Sequence, residues 1–157
     1  MKKVLIISLI PLFTNSGNIT PLEVEFERVI EQPIQIAPKP INQLVDALIH
    51  VESRGNDSII GDKHLPGNEA VGALQIRPIM VREVNRILEI QGKTERFTLK
   101  DRFDRQQSIR MFMIWKNYHL PDGDFEKIAR NWNGGPNGYK YQRTEKYWNK
   151  IQQQLIK

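Results

Sequence analysis

The chain has 157 residues, 39% of them hydrophobic and 26% charged, enough for one packed domain and too short for two of ordinary size. Its formal net charge of +5 suits an anionic polymer as partner, and peptidoglycan with its acidic attachments and nucleic acid both qualify. There is no cysteine, which excludes disulfides, zinc–thiolate sites, thiol nucleophiles and a cysteine-borne lipid anchor.

At the start of the chain, Met1-Lys2-Lys3 is a short positive segment. Val4 to Phe13 is an apolar run of ten residues broken by Ser8 and Pro11, and Thr14-Asn15-Ser16-Gly17 turns polar and small. A helix needs about 20 apolar residues to cross a hydrocarbon core, so residues 1–17 read as an export signal, without stable membrane insertion. The protein is therefore expected in the periplasm or cell envelope. Residues 18–40 read as a linker, with Pro21, Pro33, Pro38 and Pro40 among Glu23, Glu25, Glu27 and Glu31, because prolines at this density break helices and sheet ladders. The alternation over Leu22–Glu27 allows one short strand there.

From residue 41 the pattern is helical, and the domain over 41–157 is expected to be mainly α. Ile41, Leu44, Val45, Leu48 and Ile49 fall at helical spacing after Pro40. Residues 53–69 form a loop rich in Gly, Asn and Pro. A second helix is expected from Pro78, a favoured first-turn residue, through Val81, Val84, Ile87 and Leu88 to near Gly92. Leu99 to Phe103 is expected to make a short turn. A third helix follows Asp104 as cap and carries Ile109, Phe112 and Met113. A fourth lies between Asp124 and Gly134-Gly135-Pro136, with Phe125, Ile128, Ala129 and Trp132 on one stripe; the glycines are expected to stop it in left-handed geometry. The last begins near Thr144 and shows Tyr147, Trp148, Ile151 and Leu155.

Glu52 carries the most chemical information. It lies eleven positions after Ile41 and four after Leu48, and eleven residues return to within about 20° of the starting direction on a helix. The spacing places a carboxylate on the apolar stripe, where burial penalises the charged form, raises the pKa and suits a general acid. Glycosidic cleavage usually takes two carboxylates. The nearest partners are Asp57, Asp62 and Glu69 in the following loop, none fixed by helical spacing.

Four segments then share a resemblance. His50-Val51-Glu52-Ser53-Arg54-Gly55-Asn56 resembles the first motif of the soluble lytic transglycosylase family, a Glu-Ser pair closing an apolar helix. Ala70 to Pro78, with Gln75-Ile76-Arg77-Pro78, is similar to its second motif; Ala129-Arg130-Asn131-Trp132-Asn133-Gly134-Gly135-Pro136 to its third; Thr144-Glu145-Lys146-Tyr147-Trp148-Asn149-Lys150-Ile151 to its closing segment. They occur in the family's order.

The resemblance implies a lysozyme-like, mainly α fold with a cleft for peptidoglycan strands. It implies cleavage of the β-1,4 bond between N-acetylmuramic acid and N-acetylglucosamine, closing a 1,6-anhydro ring, with Glu52 as single acid and base and no cofactor or metal. Ser53, Gln75, Asn133 and Tyr147 are implied as substrate-binding residues. Gln75 reaches an acetamido or hydroxyl group, Ser53 helps to position Glu52 or the sugar, and Asn133 and Tyr147 line the cleft. Wall remodelling and passage of a secretion or phage apparatus are the settings such an activity suits. Glu69 stands where the family commonly has a small residue. With Glu69 or Asp57 as base for water, the same bond would be hydrolysed as in goose-type lysozymes. A glycan-binding or assembly protein that has lost the chemistry is a further alternative.

Other constellations are poor. His50, His64 and His119 show no metal-ligand spacing, and there is no Gly-x-Ser-x-Gly elbow and no phosphate loop. The basic residues are scattered rather than gathered with aromatics, so nucleic acid is not an expected partner. Trp132, Tyr139, Tyr141 and Trp148 are expected to pack rather than to bind sugar.

Overall fold

Pro40 fixes the start of the first helix. Its φ of −62° and ψ of 142° are extended, and a proline ring cannot continue a helix backwards. In the computed structural model, residues 40–156 are described; the export signal expected at 1–17 and all of the expected linker except Pro40 lie outside them, as does the short strand expected at 22–27. Within the described residues the chain is mainly helical. The α-helices are α1 (Ile41–Ser53), α2 (Pro78–Ile90), α3 (Arg105–His119), α4 (Phe125–Gly134) and α5 (Glu145–Leu155). Short 3-10 turns occupy Leu99–Phe103, Gly138–Lys140 and Gln142–Thr144. No helix among the described residues is long and apolar enough to cross a membrane.

Three further helices begin where a local signal puts them. Pro78 opens α2, the Asp104 carboxylate accepts from the Gln107 N–H at 2.9 Å to cap α3, and Asp124 accepts from Lys127 N–H at 2.7 Å to cap α4. Gly135 ends α4 at φ 83° and ψ −170°. That is the extended mirror region rather than the left-handed helical geometry the sequence suggested, and it sends the chain straight out of the helix.

The apolar stripes meet in one core. Leu44 and Leu48 of α1, Val84 of α2, Phe112 of α3, Ile128 of α4 and Ile151 of α5 are all buried together. α1 packs on α5 and α4, and α2 packs on α3. Truncating one of these leucines to alanine costs about 2–5 kcal/mol through lost transfer energy and the cavity left behind.

The long segment between α1 and α2 contains only isolated bridges, Ile60 to Val71 and Val71 to Ile76. Side chains from later in the chain hold it. Arg102 is buried and donates to the carbonyls of Glu69 (3.0 Å), Ile76 (3.1 Å) and Leu99 (2.9 Å). Arg105 donates to the Asp57 carboxylate at 2.9 Å and to the Gly55 carbonyl at 2.5 Å. Buried or half-buried guanidinium groups thus satisfy loop carbonyls that no ladder reaches.

Candidate active site

Glu52 lies one residue before the end of α1. Behind it, the buried Ser53 hydroxyl donates to the Ile49 carbonyl at 3.0 Å and accepts the Gly55 N–H at 3.2 Å. Arg54 turns left-handed at φ 54°, and its N–H closes onto the His50 carbonyl. The helix therefore stays intact through Glu52 and then stops. This holds the carboxyl on the inner stripe, as the spacing predicts.

The carboxyl faces two environments. On one side the Tyr147 hydroxyl of α5 donates to Oε1 at 2.6 Å. On the other, Glu52 lines an open cavity of about 590 Å³, shared with Gly61, Asp62, Gln75, Arg77, Trp132 and Asn133 among others. Burial raises the Glu52 pKa to about 7; the Tyr147 hydrogen bond opposes that rise, Asp62 adds to it and Lys150 opposes it. Burial and the neighbouring carboxyl push the Tyr147 phenol up as well. The phenol therefore keeps its proton and serves as a donor. With Oε1 occupied by Tyr147, Oε2 is the oxygen left to carry a proton toward the cavity.

Gln75 sits at φ 48° and lines the same cavity. Its Nε2 donates to the Gly72 carbonyl at 3.0 Å and to Ile59 at 3.4 Å, which leaves Oε1 as the atom available to a ligand. That oxygen lies against Gly61, where an added Cβ would approach it to 2.2 Å. Only glycine at 61 lets the amide occupy this place.

Of the residues named from the sequence, Glu52, Gln75 and Asn133 line the cavity together. Ser53 and Tyr147 are not in its lining. Ser53 secures the helix end and Tyr147 stands behind the acid. Glu69 does not face Glu52 across the cavity. The backbone N–H groups of Glu69 itself and of Gly67 hold its carboxylate below the usual range, an arrangement internal to the loop. Asp57 is engaged by Arg105 and is also outside the lining. Among the three loop carboxylates, Asp62 is the one on the cavity wall, ion-paired with Arg77.

Trp132 does two things. It packs edge-on against Phe112 and Trp115, with ring centroids 5.1 and 5.2 Å away, and its remaining surface lines the cavity. Trp148 packs against the core, whereas Tyr139 and Tyr141 are exposed. The expectation of packing therefore fails for those two tyrosines: the turns that carry them bury Gly138 and Thr144 and leave both rings exposed.

Arg77, Ile79 and Met80 also line the cavity; Arg77 falls inside the second motif without a role assigned from the sequence, and Ile79 and Met80 lie outside the motifs. Ile79 carried one signal: it lies off the Val81–Val84–Leu88 stripe and is 63% exposed, so it presents an apolar face at the rim. The arrangement can bind a polar ligand with apolar faces, deliver one proton near neutral pH, and take it back. Comparison with models of known protein families matches none of them, and comparison with curated proteins likewise gives no match.

Proposed function

We propose that the chain is a peptidoglycan-cleaving enzyme of lytic transglycosylase type, with a lysozyme-like arrangement of its helices and Glu52 as sole acid and base. One observation carries this reading. A carboxyl group with a pKa of about 7 stands on the wall of an open cavity, with Tyr147 donating to its far oxygen. Such a group holds its proton half the time near neutrality and can alternate between donor and acceptor.

The chemistry follows from that alternation. Glu52 protonates the glycosidic oxygen between N-acetylmuramic acid and N-acetylglucosamine as that bond breaks. The substrate's own acetamido group stabilises the positive charge at the anomeric carbon. The ionised Glu52 then takes the proton of the muramic 6-hydroxyl, whose oxygen closes the 1,6-anhydro ring, so the proton account balances without water. Tyr147 favours the carboxylate formed in between, because a hydrogen bond donated to an anion is stronger than one to a neutral carboxyl. Gln75 and Asn133 orient the sugars, and Ile79 and Trp132 supply apolar faces. The export-signal pattern of residues 1–17 supports an envelope location for this activity.

Asp62 favours a second reading. An ion-paired carboxylate on the same wall could orient a water instead, giving a hydrolysed, reducing product. Mass analysis of fragments released from purified walls separates the two. Anhydro ends that persist in Asp62→Asn support ring closure, and reducing ends that vanish in that variant support hydrolysis. No soluble fragments from the wild type, or equal release by Glu52→Gln, would defeat both.

A further inference from the structure

The segment following the cavity is built with more internal bonding than a plain connector requires. Arg130, buried on α4, donates to the Thr144 hydroxyl at 3.0 Å and to the Tyr141 carbonyl at 3.2 Å. The Thr144 hydroxyl lies 2.8 Å from the Gly138 carbonyl and 2.7 Å from that of Tyr141. Asn131 accepts the Tyr139 N–H at 2.8 Å. Gly138 lies so close to α4 that an added Cβ would sit 2.1 Å from the Arg130 carbonyl oxygen. Three buried polar side chains therefore fix two short turns at the surface.

Those turns display rings and cations. Lys127 and Lys140 each stand over the Tyr139 ring, at 5.2 and 5.6 Å, and Arg143 over the Tyr141 ring at 4.5 Å. Both rings are exposed, and none of the three cations forms an ion pair with a described residue. The two nearby glutamates, Glu126 and Glu145, instead approach Arg130, at 2.7 and 3.7 Å. Three cations thus stand without an ion-pair partner among the described residues, while Glu126 and Glu145 share the one guanidinium of Arg130.

The patch adjoins the cavity. Asn133 and Gly135 line the cavity, and a Cβ on Gly134 would lie 3.8 Å from Tyr141 Cδ2. We propose that Tyr139, Tyr141, Lys127, Lys140 and Arg143 form a fixed surface that carries an acid-bearing glycan strand onward from the cavity. This rests on reading the cavity as a glycan site. Pyranose rings present flat C–H faces to tyrosine, and the lactyl and peptide carboxylates of a wall strand meet the cations. An exposed cation–π contact is weak, so each cation can exchange it for a charge-assisted bond to a carboxylate. The same chemistry would also suit a single-stranded nucleic acid, but continuity with the cavity favours the strand lying in that cavity.

The test is binding, in the Glu52→Gln background so that the strand is not consumed. The probes are solubilised wall glycan carrying its peptides, an N-acetylglucosamine hexamer and a single-stranded oligonucleotide. The combined variant Lys127→Gln, Lys140→Gln, Arg143→Gln is expected to bind wall glycan about tenfold more weakly at low salt, with the gap closing at high salt. The hexamer should bind it unchanged. A second variant, Lys140→Glu with Arg143→Glu, should weaken wall-glycan binding further, and melting curves report whether either variant remains folded. Unchanged affinity for wall glycan in folded variants, equal loss on the hexamer, or charge-dependent binding of the oligonucleotide alone would each overturn the proposal. If binding shows the expected charge dependence but the native enzyme releases no fragments, the surface stands and the proposed cleavage falls.

Discussion

The cavity wall at the end of α1 and the seam between α2 and α3 each hold a half-buried glutamate, and they titrate in opposite directions. Glu52 meets one neutral phenol and is otherwise desolvated, which pushes its pKa up to about 7. Glu83 accepts two hydrogen bonds from Arg86 at 2.7 Å and lies 2.7 Å from the His119 ring; chiefly through the Arg86 bonds, its pKa falls to about 2. Both are glutamates, but Glu52 is much the more desolvated, and only Glu83 has a fixed cation to replace the water lost on folding. A carboxyl deprived of that replacement is available for proton transfer, and one supplied with it is a surface strut.

The largest effect expected from breaking this contrast is on catalysis. Glu52→Gln keeps the shape and the acceptor for Tyr147 but removes the proton. Fragment release from purified walls should fall by about a thousandfold, the usual scale for losing a general acid, with the fold and the pH-independent part of stability retained.

The next effect is thermodynamic. In the unfolded chain Glu52 returns to about 4.5, so between about 4.5 and 7 the folded state binds the extra proton. The stability this group contributes is therefore present at low pH and is lost as pH rises through that window, by at most about 3 kcal/mol. Urea unfolding at about pH 5 and pH 8 should show the decline in the wild type and a flatter profile in Glu52→Gln. The inactive variant should then be the more stable one above neutrality. Parallel profiles would mean that Glu52 is solvated and that its contrast with Glu83 is false.

A smaller change should follow from Tyr147→Phe. Deleting the donor removes the main influence that lowers the Glu52 pKa, so the alkaline limb of the pH–rate profile should move to higher pH. The rate at neutral pH should drop by about tenfold, because a hydrogen bond that strengthens when Glu52 ionises is lost. A rate loss with an unmoved limb would assign Tyr147 to packing alone.

The glutamates also show what the sequence makes legible. Glu52's side of its helix follows from Ile41 and Leu48, because helical period is local. Helix starts at Pro78, Asp104 and Asp124 follow from caps for the same reason. Tyr147 is named by its motif, but its bond to Glu52 spans 95 residues, and nothing local encodes that it stands behind the acid rather than beside a sugar. Asp57, Asp62 and Glu69 look alike in sequence; Arg105, Arg77 and backbone amides sort them, and those partners are fixed only by how the irregular loop closes. Buried Arg102 is illegible for a related reason, since its acceptors are backbone carbonyls, which every residue has.

The least effect belongs to Glu83, and its sign is opposite to that of Glu52. With its folded pKa near 2 against 4.5 unfolded, it contributes stability above about pH 4.5 that is lost as pH falls toward 2. Its partners are largely solvated, with 48% of the Arg86 side chain exposed, so screening reduces the contribution to below about 1 kcal/mol. Glu83→Gln should thus cost little at neutral pH, cost nothing near pH 2, and cost less in high salt, with wall cleavage unaltered. A cost that persisted in acid would show that Glu83 acts through packing against His119 rather than through charge.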